Sequence, residues 1–160
     1  MKRIAPLLLL LALACTACGK QAVPEDFSFA MTWNCYGISS YDSATGELVK
    51  TRDERISTEY RLTEAERQQV WEWICELKPE TYPDRYDPNP EVGCDPPEHL
   101  ILTVRTADGE KTITAMDVAG AEDSGDPQGR KFLTVCRAIQ HMLTETQAWQ
   151  AMPDGELFYD

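Results

Sequence analysis

Phe27, Phe29, Met31 and Trp33 alternate with Ser28, Ala30, Thr32 and Asn34. Successive side chains of a strand point to opposite faces, so this run predicts a β-strand with one large apolar face and one small polar face. Such a strand is stable only in a sheet whose apolar side is covered, and the rest of the chain must supply both sheet and cover. Tyr36 to Tyr41 and Glu47 to Thr51 flank the turn-forming stretch Asp42-Ser43-Ala44-Thr45-Gly46, and Ile56 to Leu62 is a further extended piece. Thr63-Glu64-Ala65-Glu66 forms a capping box, after which Val70, Trp71, Ile74 and Leu77 share one helical stripe and Pro79 stops the helix. Residues 79 to 97 hold Pro79, Pro83, Pro88, Pro90, Pro96 and Pro97, too many for regular structure, and predict a loop. Leu100, Leu102 and Val104 alternate with Ile101, Thr103 and Arg105. Asp108-Gly109 then turns the chain into Lys111 to Val118, a strong hairpin signal. An acidic loop from Gly120 to Gly129 precedes a second helical stripe of Phe132, Cys136, Ile139 and Leu143. The order of strands, helix, hairpin and helix predicts an α+β fold: an antiparallel β-sheet with two α-helices packed on one face, in a single domain over residues 27–160.

Residues 1–17 belong to a different pattern. Lys2 and Arg3 give a cationic start, and Ile4 to Ala14 is an apolar run, together the layout of a secretory signal peptide. Eleven residues reach only about 16 Å as a helix, against about 30 Å of bilayer hydrocarbon, so the run predicts a signal and not a span. The following Cys15-Thr16-Ala17-Cys18-Gly19 resembles the lipobox of bacterial lipoproteins, whose Cys is acylated on sulfur after cleavage just before it. Cys18, with Ala17 before it and Gly19 after it, is the expected lipidation site; Cys15, preceded by Ala14, is the alternative. Acyl chains such as palmitate contribute about 0.8 kcal/mol per buried methylene, and two or three of them anchor stably. Residues 18–26 then read as a lipid-anchored tether carrying no periodicity, and the address is extracytoplasmic, at a bacterial membrane. No other cofactor is expected.

Beyond residue 17 the chain has 13 basic and 27 acidic residues, a formal charge of −14. That balance argues against nucleic acid as a partner, because phosphate backbones would repel it. Four cysteines remain in the expected domain: Cys35, Cys75, Cys94 and Cys136. Four thiols in an oxidising compartment allow three pairings, and the one matching their environments joins Cys75 with Cys136 and Cys35 with Cys94. Their long spacings, with His99 and His141 in no ligand pattern, give no metal site. The carboxylates of Asp84, Asp87, Glu122, Asp123 and Asp126 lack the spacing of a calcium loop and read as solvated. No nucleophile elbow, Ser-x-x-Lys pair or phosphate-binding glycine loop is present, so no catalytic residue is assigned.

The aromatic residues exceed what one small core would hide. Trp73, at the edge of the first helical stripe, and Tyr82 and Tyr86, in the proline-rich loop, are candidates for a binding surface, although such residues more often form a lid over the core. Phe27-Ser28-Phe29, the stretch Trp33-Asn34-Cys35-Tyr36-Gly37-Ile38-Ser39-Ser40-Tyr41-Asp42, Lys131-Phe132-Leu133 and the terminal Trp149, Phe158 and Tyr159 resemble an uncharacterised family of small Firmicutes-type lipoproteins. The order of elements is also similar to a wider bacterial domain of unknown function in exported proteins. That resemblance implies the lipoprotein address and the α+β fold, and it brings no catalytic residue. The expected activity is therefore non-enzymatic: a binding or accessory domain of the cell envelope, its partners the membrane lipid and an envelope protein or ligand. An inhibitor or protective protein acting against a cell-surface enzyme is the alternative.

Overall fold

The computed structural model describes residues 21–90, 93, 95–118 and 125–155. The leader, both candidate lipidation cysteines, Cys94, Glu122, Asp123, Phe158 and Tyr159 lie outside them.

The fold is α+β. Six strands, β1 (Ser28–Trp33), β2 (Ser39–Asp42), β3 (Glu47–Thr51), β4 (Ile56–Glu59), β5 (His99–Thr106) and β6 (Gly109–Met116), form one antiparallel sheet in the order β4-β3-β2-β1-β5-β6. The alternating strand is β1, and it sits in the interior between β2 and β5. Phe29, Met31 and Trp33 point to one face, and their neighbours in register, Tyr41, Leu102 and Val104, join them there. That face is covered by helices. The other carries small and polar side chains, among them Ala30, Thr32, Ser40 and Thr103, all half-buried.

Helix α1 (Glu64–Leu77) begins at the expected capping box. Thr63 Oγ1 accepts the Glu66 amide at 3.2 Å, and Glu66 Oε2 accepts the Thr63 amide at 2.7 Å, pairing two donors that a helix start leaves open. Its buried residues are Val70, Trp71, Ile74 and Leu77. Helix α2 (Pro127–Thr144) opens on Asp126, whose carboxylate accepts the Gln128 and Gly129 amides, and buries Phe132, Leu133, Cys136, Ile139 and Leu143 against the sheet. A short helix α3 (Gln147–Gln150) brings Trp149 to within 5.6 Å of the Trp33 ring, closing one end of the core. In the β5–β6 hairpin, Gly109 has φ of +134°, a conformation open to glycine and strained for other residues, which places the tight turn where Asp108-Gly109 predicted it.

The proline-rich segment is irregular but firmly seated. Pro79–Thr81 form one 3₁₀ turn, and the chain then runs along the β6 edge. There Thr114 donates its amide to Asp84 O at 2.7 Å and accepts from the Tyr86 amide at 3.0 Å. The pairing occupies part of an edge that would otherwise invite another strand.

Candidate functional site

The segment expected to be a tether packs, from residue 21 onward, against the folded body. Val23 packs against the core. Arg67, on α1, directs one guanidinium nitrogen, Nη2, at three backbone carbonyls, those of Pro24 at 2.6 Å, Glu25 at 3.2 Å and Phe27 at 3.2 Å. The same guanidinium lies 5.8 Å from the centre of the Phe27 ring, and that ring packs at 4.8 Å on Trp71. The next residue, Gln68, donates its Nε2 to the carbonyl of Gln21 at 3.1 Å and to Glu72 Oε1 at 3.0 Å. A charged donor serving several neutral acceptors makes stronger bonds than a neutral one would.

Residues 21–26 consequently run beside α1 and form one wall of a groove of about 740 Å³. The opposite wall is the turn of the β5–β6 hairpin, from Thr106 to Lys111. Val104, Trp71, Ile74 and Cys75 line it with apolar surface. Asp26, Glu80, Asp108 and Glu110 set four carboxylates around it, against Lys78 and Lys111. Lys111 is already engaged, since its Nζ donates to Asp84 Oδ1 at 2.5 Å. At the end of α1 the groove is bordered by Lys78, which adopts the left-handed conformation (φ 58°), and by Pro79 and Glu80. The indole N–H of Trp71 is buried there with no hydrogen-bond partner among the described residues.

Burial, and then the nearby Glu80 carboxylate, push the Cys75 thiol up, so it is held as the neutral, poorly nucleophilic form. Cys75 is half-buried beside the groove and Cys136 is fully buried on α2 beneath the sheet, and both are free thiols in the structure, so the expected Cys75–Cys136 bridge is not formed there. Cys136 instead behaves as a small apolar residue whose thiol burial raises to about 12. Cys35 carries a free thiol at an isolated bridge to Glu98, and the other half of its expected pair, Cys94, lies outside the described residues.

The three aromatic candidates for a binding surface are placed differently from one another. Tyr82 is buried, 3% exposed, and its hydroxyl donates to Gln128 O at 3.0 Å, so it presents no surface. Tyr86 is half-buried, edge-on to Tyr82 at 5.1 Å and to Phe132 at 5.8 Å, with its hydroxyl donating to Asp126 Oδ2 at 2.8 Å. Both lid the core over α2. Trp73 is half-buried at the flank of α1 and packs against the core as well. The loop carboxylates have structural partners: Asp84 takes Lys111, Asp87 takes the Asn89 amide at 3.0 Å, and Asp126 caps α2. His99 packs edge-on to Tyr36, and His141 lies on an exposed turn of α2, its Nδ1 3.9 Å from Glu145.

Neither the groove nor the fastening of residues 21–26 was anticipated from the sequence. The only hint was Val23-Pro24, an apolar residue and a turn-former just before the first strand. No family model matches the chain, and no curated protein matches it.

Proposed function

We propose that this chain is a membrane-anchored extracytoplasmic lipoprotein whose folded part is a non-enzymatic binding or accessory domain of the cell envelope. In this reading Cys18 bears the lipid, the leader before it is removed, and the groove between α1 and the β5–β6 hairpin takes the ligand. The observation that carries the binding role is the groove itself: apolar surface from Val104, Trp71 and Ile74 ringed by carboxylates, beside the end of the chain that leads to the anchor. Sites of this kind place a few polar groups around an apolar floor. The reading is further supported by how the reactive residue types are used. The groove thiol is held protonated, and Asp84, Asp87 and Asp126 are engaged in the fold. The likeness to small Firmicutes-type lipoproteins of unassigned activity is part of the same proposal.

The test is photo-crosslinking in living cells, with the crosslinking side chain at Asp108 or Glu110 on the groove rim, and at Ser57 on the distant β4 edge as the control. One recurrent envelope component captured from the rim and absent from the Ser57 control is expected. Equal capture from all three positions, or none from the rim, would overturn the groove as the binding site.

A further inference from the structure

We propose that Arg67 and Gln68 turn the start of the domain into a rigid mount, so that lipid on Cys18 holds the groove side of the domain directly against the membrane surface. The inference rests on the lipidation of Cys18 proposed above and adds an orientation and a partner, the lipid headgroup layer. A tether allows a domain to tumble and sample a wide volume above a membrane. Here the chain is held from Gln21, whose carbonyl accepts from Gln68, and is pinned further through the carbonyls of Pro24, Glu25 and Phe27 by one guanidinium. Only Gly19 and Lys20 lie between Cys18 and Gln21, three steps along the chain, and a fully extended chain covers at most about 3.6 Å per residue, so Gln21 lies within about 11 Å of the acylated cysteine.

Gln21, Pro24 and Asp26 are themselves groove-lining residues. The groove therefore opens beside the headgroups, and what it meets is presented at that surface: a stretch of another envelope component lying next to the bilayer. The attachment is covalent and short, so it also works against the repulsion that a domain of this acidity meets at an anionic lipid surface. Net charge would push an untethered copy away. The mount keeps it in place whatever the lipid.

Two readouts on the full lipidated chain in phosphatidylcholine vesicles test this. Trypsin cuts after Lys20 only if several residues on either side of the bond can straighten, so the fastened wild type should release its domain slowly. Arg67→Gln should speed release about tenfold or more, and Gln68→Ala, which leaves the core and the Phe27 contact alone, by a smaller factor. A circular dichroism spectrum matching wild type shows that a variant has folded, and Gln68→Ala decides the matter if Arg67→Gln has not. Energy transfer from the tryptophans to fluorescent headgroups should fall when twelve Gly and Ser residues are inserted after Gly19. Cleavage after Lys20 as fast in wild type as in folded Arg67→Gln and Gln68→Ala, or transfer unchanged by the spacer, would overturn the mount. Failure of the wild type to join the vesicles at all would instead contradict lipidation. The trypsin rates on that unanchored chain would still decide whether residues 21–27 are fastened.

Discussion

Two segments outside the α-helices and the sheet are fastened to this domain by different physics. Residues 79–90 are held from the inside: Tyr82 and Tyr86 pack on each other and on Phe132, and only then do their hydroxyls find Gln128 and Asp126. Residues 21–27 are held mainly from the outside, by carbonyls gathered on one arginine, with Val23 and Phe27 as their apolar contribution. Apolar burial is non-directional and shared among many atoms, so the first segment is part of the stability of the whole domain. A set of hydrogen bonds converging on one side chain can be lost locally while the core survives, and a region so held opens at a free energy below that of global unfolding. A chain end that has to connect a folded body to a membrane can be positioned in this second way without burdening the core.

The largest effect expected from breaking this contrast is at Phe132, fully buried where the loop and α2 meet. Phe132→Ala should cost about 3–5 kcal/mol of global stability in a urea titration, through lost transfer and the cavity left behind. A smaller global loss, about 1 kcal/mol, is expected for Tyr82→Phe, which keeps the ring and removes its hydroxyl's bond to the Gln128 carbonyl. Burial first, and then the neighbouring Cys136 thiol and Asp126 carboxylate, raise the Tyr82 hydroxyl from 10.0 to about 12, so the folded state keeps its proton longer than the unfolded one. Its contribution is complete below pH 10 and is lost as the pH rises toward 12, and Tyr82→Phe should flatten that part of an alkaline stability profile.

Asp126 gives the acid counterpart. The Tyr86 hydroxyl first, and then the Gln128 and Gly129 amides, hold its carboxyl below the ordinary 3.8. The unfolded state takes up the proton first as the pH falls. The stabilisation is therefore present above 3.8 and is lost as acidification continues through the lower folded-state value. Asp126→Asn should flatten the thermal-unfolding midpoint against pH in that range. The smallest global effect is expected at Arg67. Arg67→Gln should shift the overall midpoint little while accelerating amide hydrogen exchange in residues 21–27 well beyond that in residues 82–86. Parallel acceleration in both segments would mean that they open together and that the contrast fails.

Much of the fold could be read from local pattern, because the forces that set it are local. The alternation from Phe27 to Trp33 is β1, the Thr63 and Glu66 pair caps α1, Asp108-Gly109 turns the hairpin, and Phe132, Cys136, Ile139 and Leu143 form the buried stripe of α2. The fastening of residues 21–26 was not legible. It depends on Arg67, some forty residues away and on the polar side of a helix, where an arginine ordinarily reads as solvated. Proline content predicted a loop over residues 79–97, and among the described residues there the regular structure is one 3₁₀ turn at Pro79–Thr81 and an isolated bridge at Arg85. It says nothing of how deeply Tyr82 is buried, which follows from the position of α2 beneath the loop. The groove likewise is lined by three separate parts of the chain, residues 21–26, α1 with Lys78–Glu80, and residues 104–111, so no one stretch of sequence announces it. The cysteines were paired by the character of their surroundings, whereas bridging depends on distance, and the structure keeps Cys75 and Cys136 as free thiols.

The most direct test of the whole account is the mass of the mature N-terminal peptide, taken from the membrane fraction of cells expressing the full chain and of a Cys18→Ala variant. The account predicts a peptide that begins at Cys18 and carries a diacylglyceryl group, and loss of the variant from the membrane fraction. An unmodified N-terminus, with both forms released from the membrane alike, would contradict it.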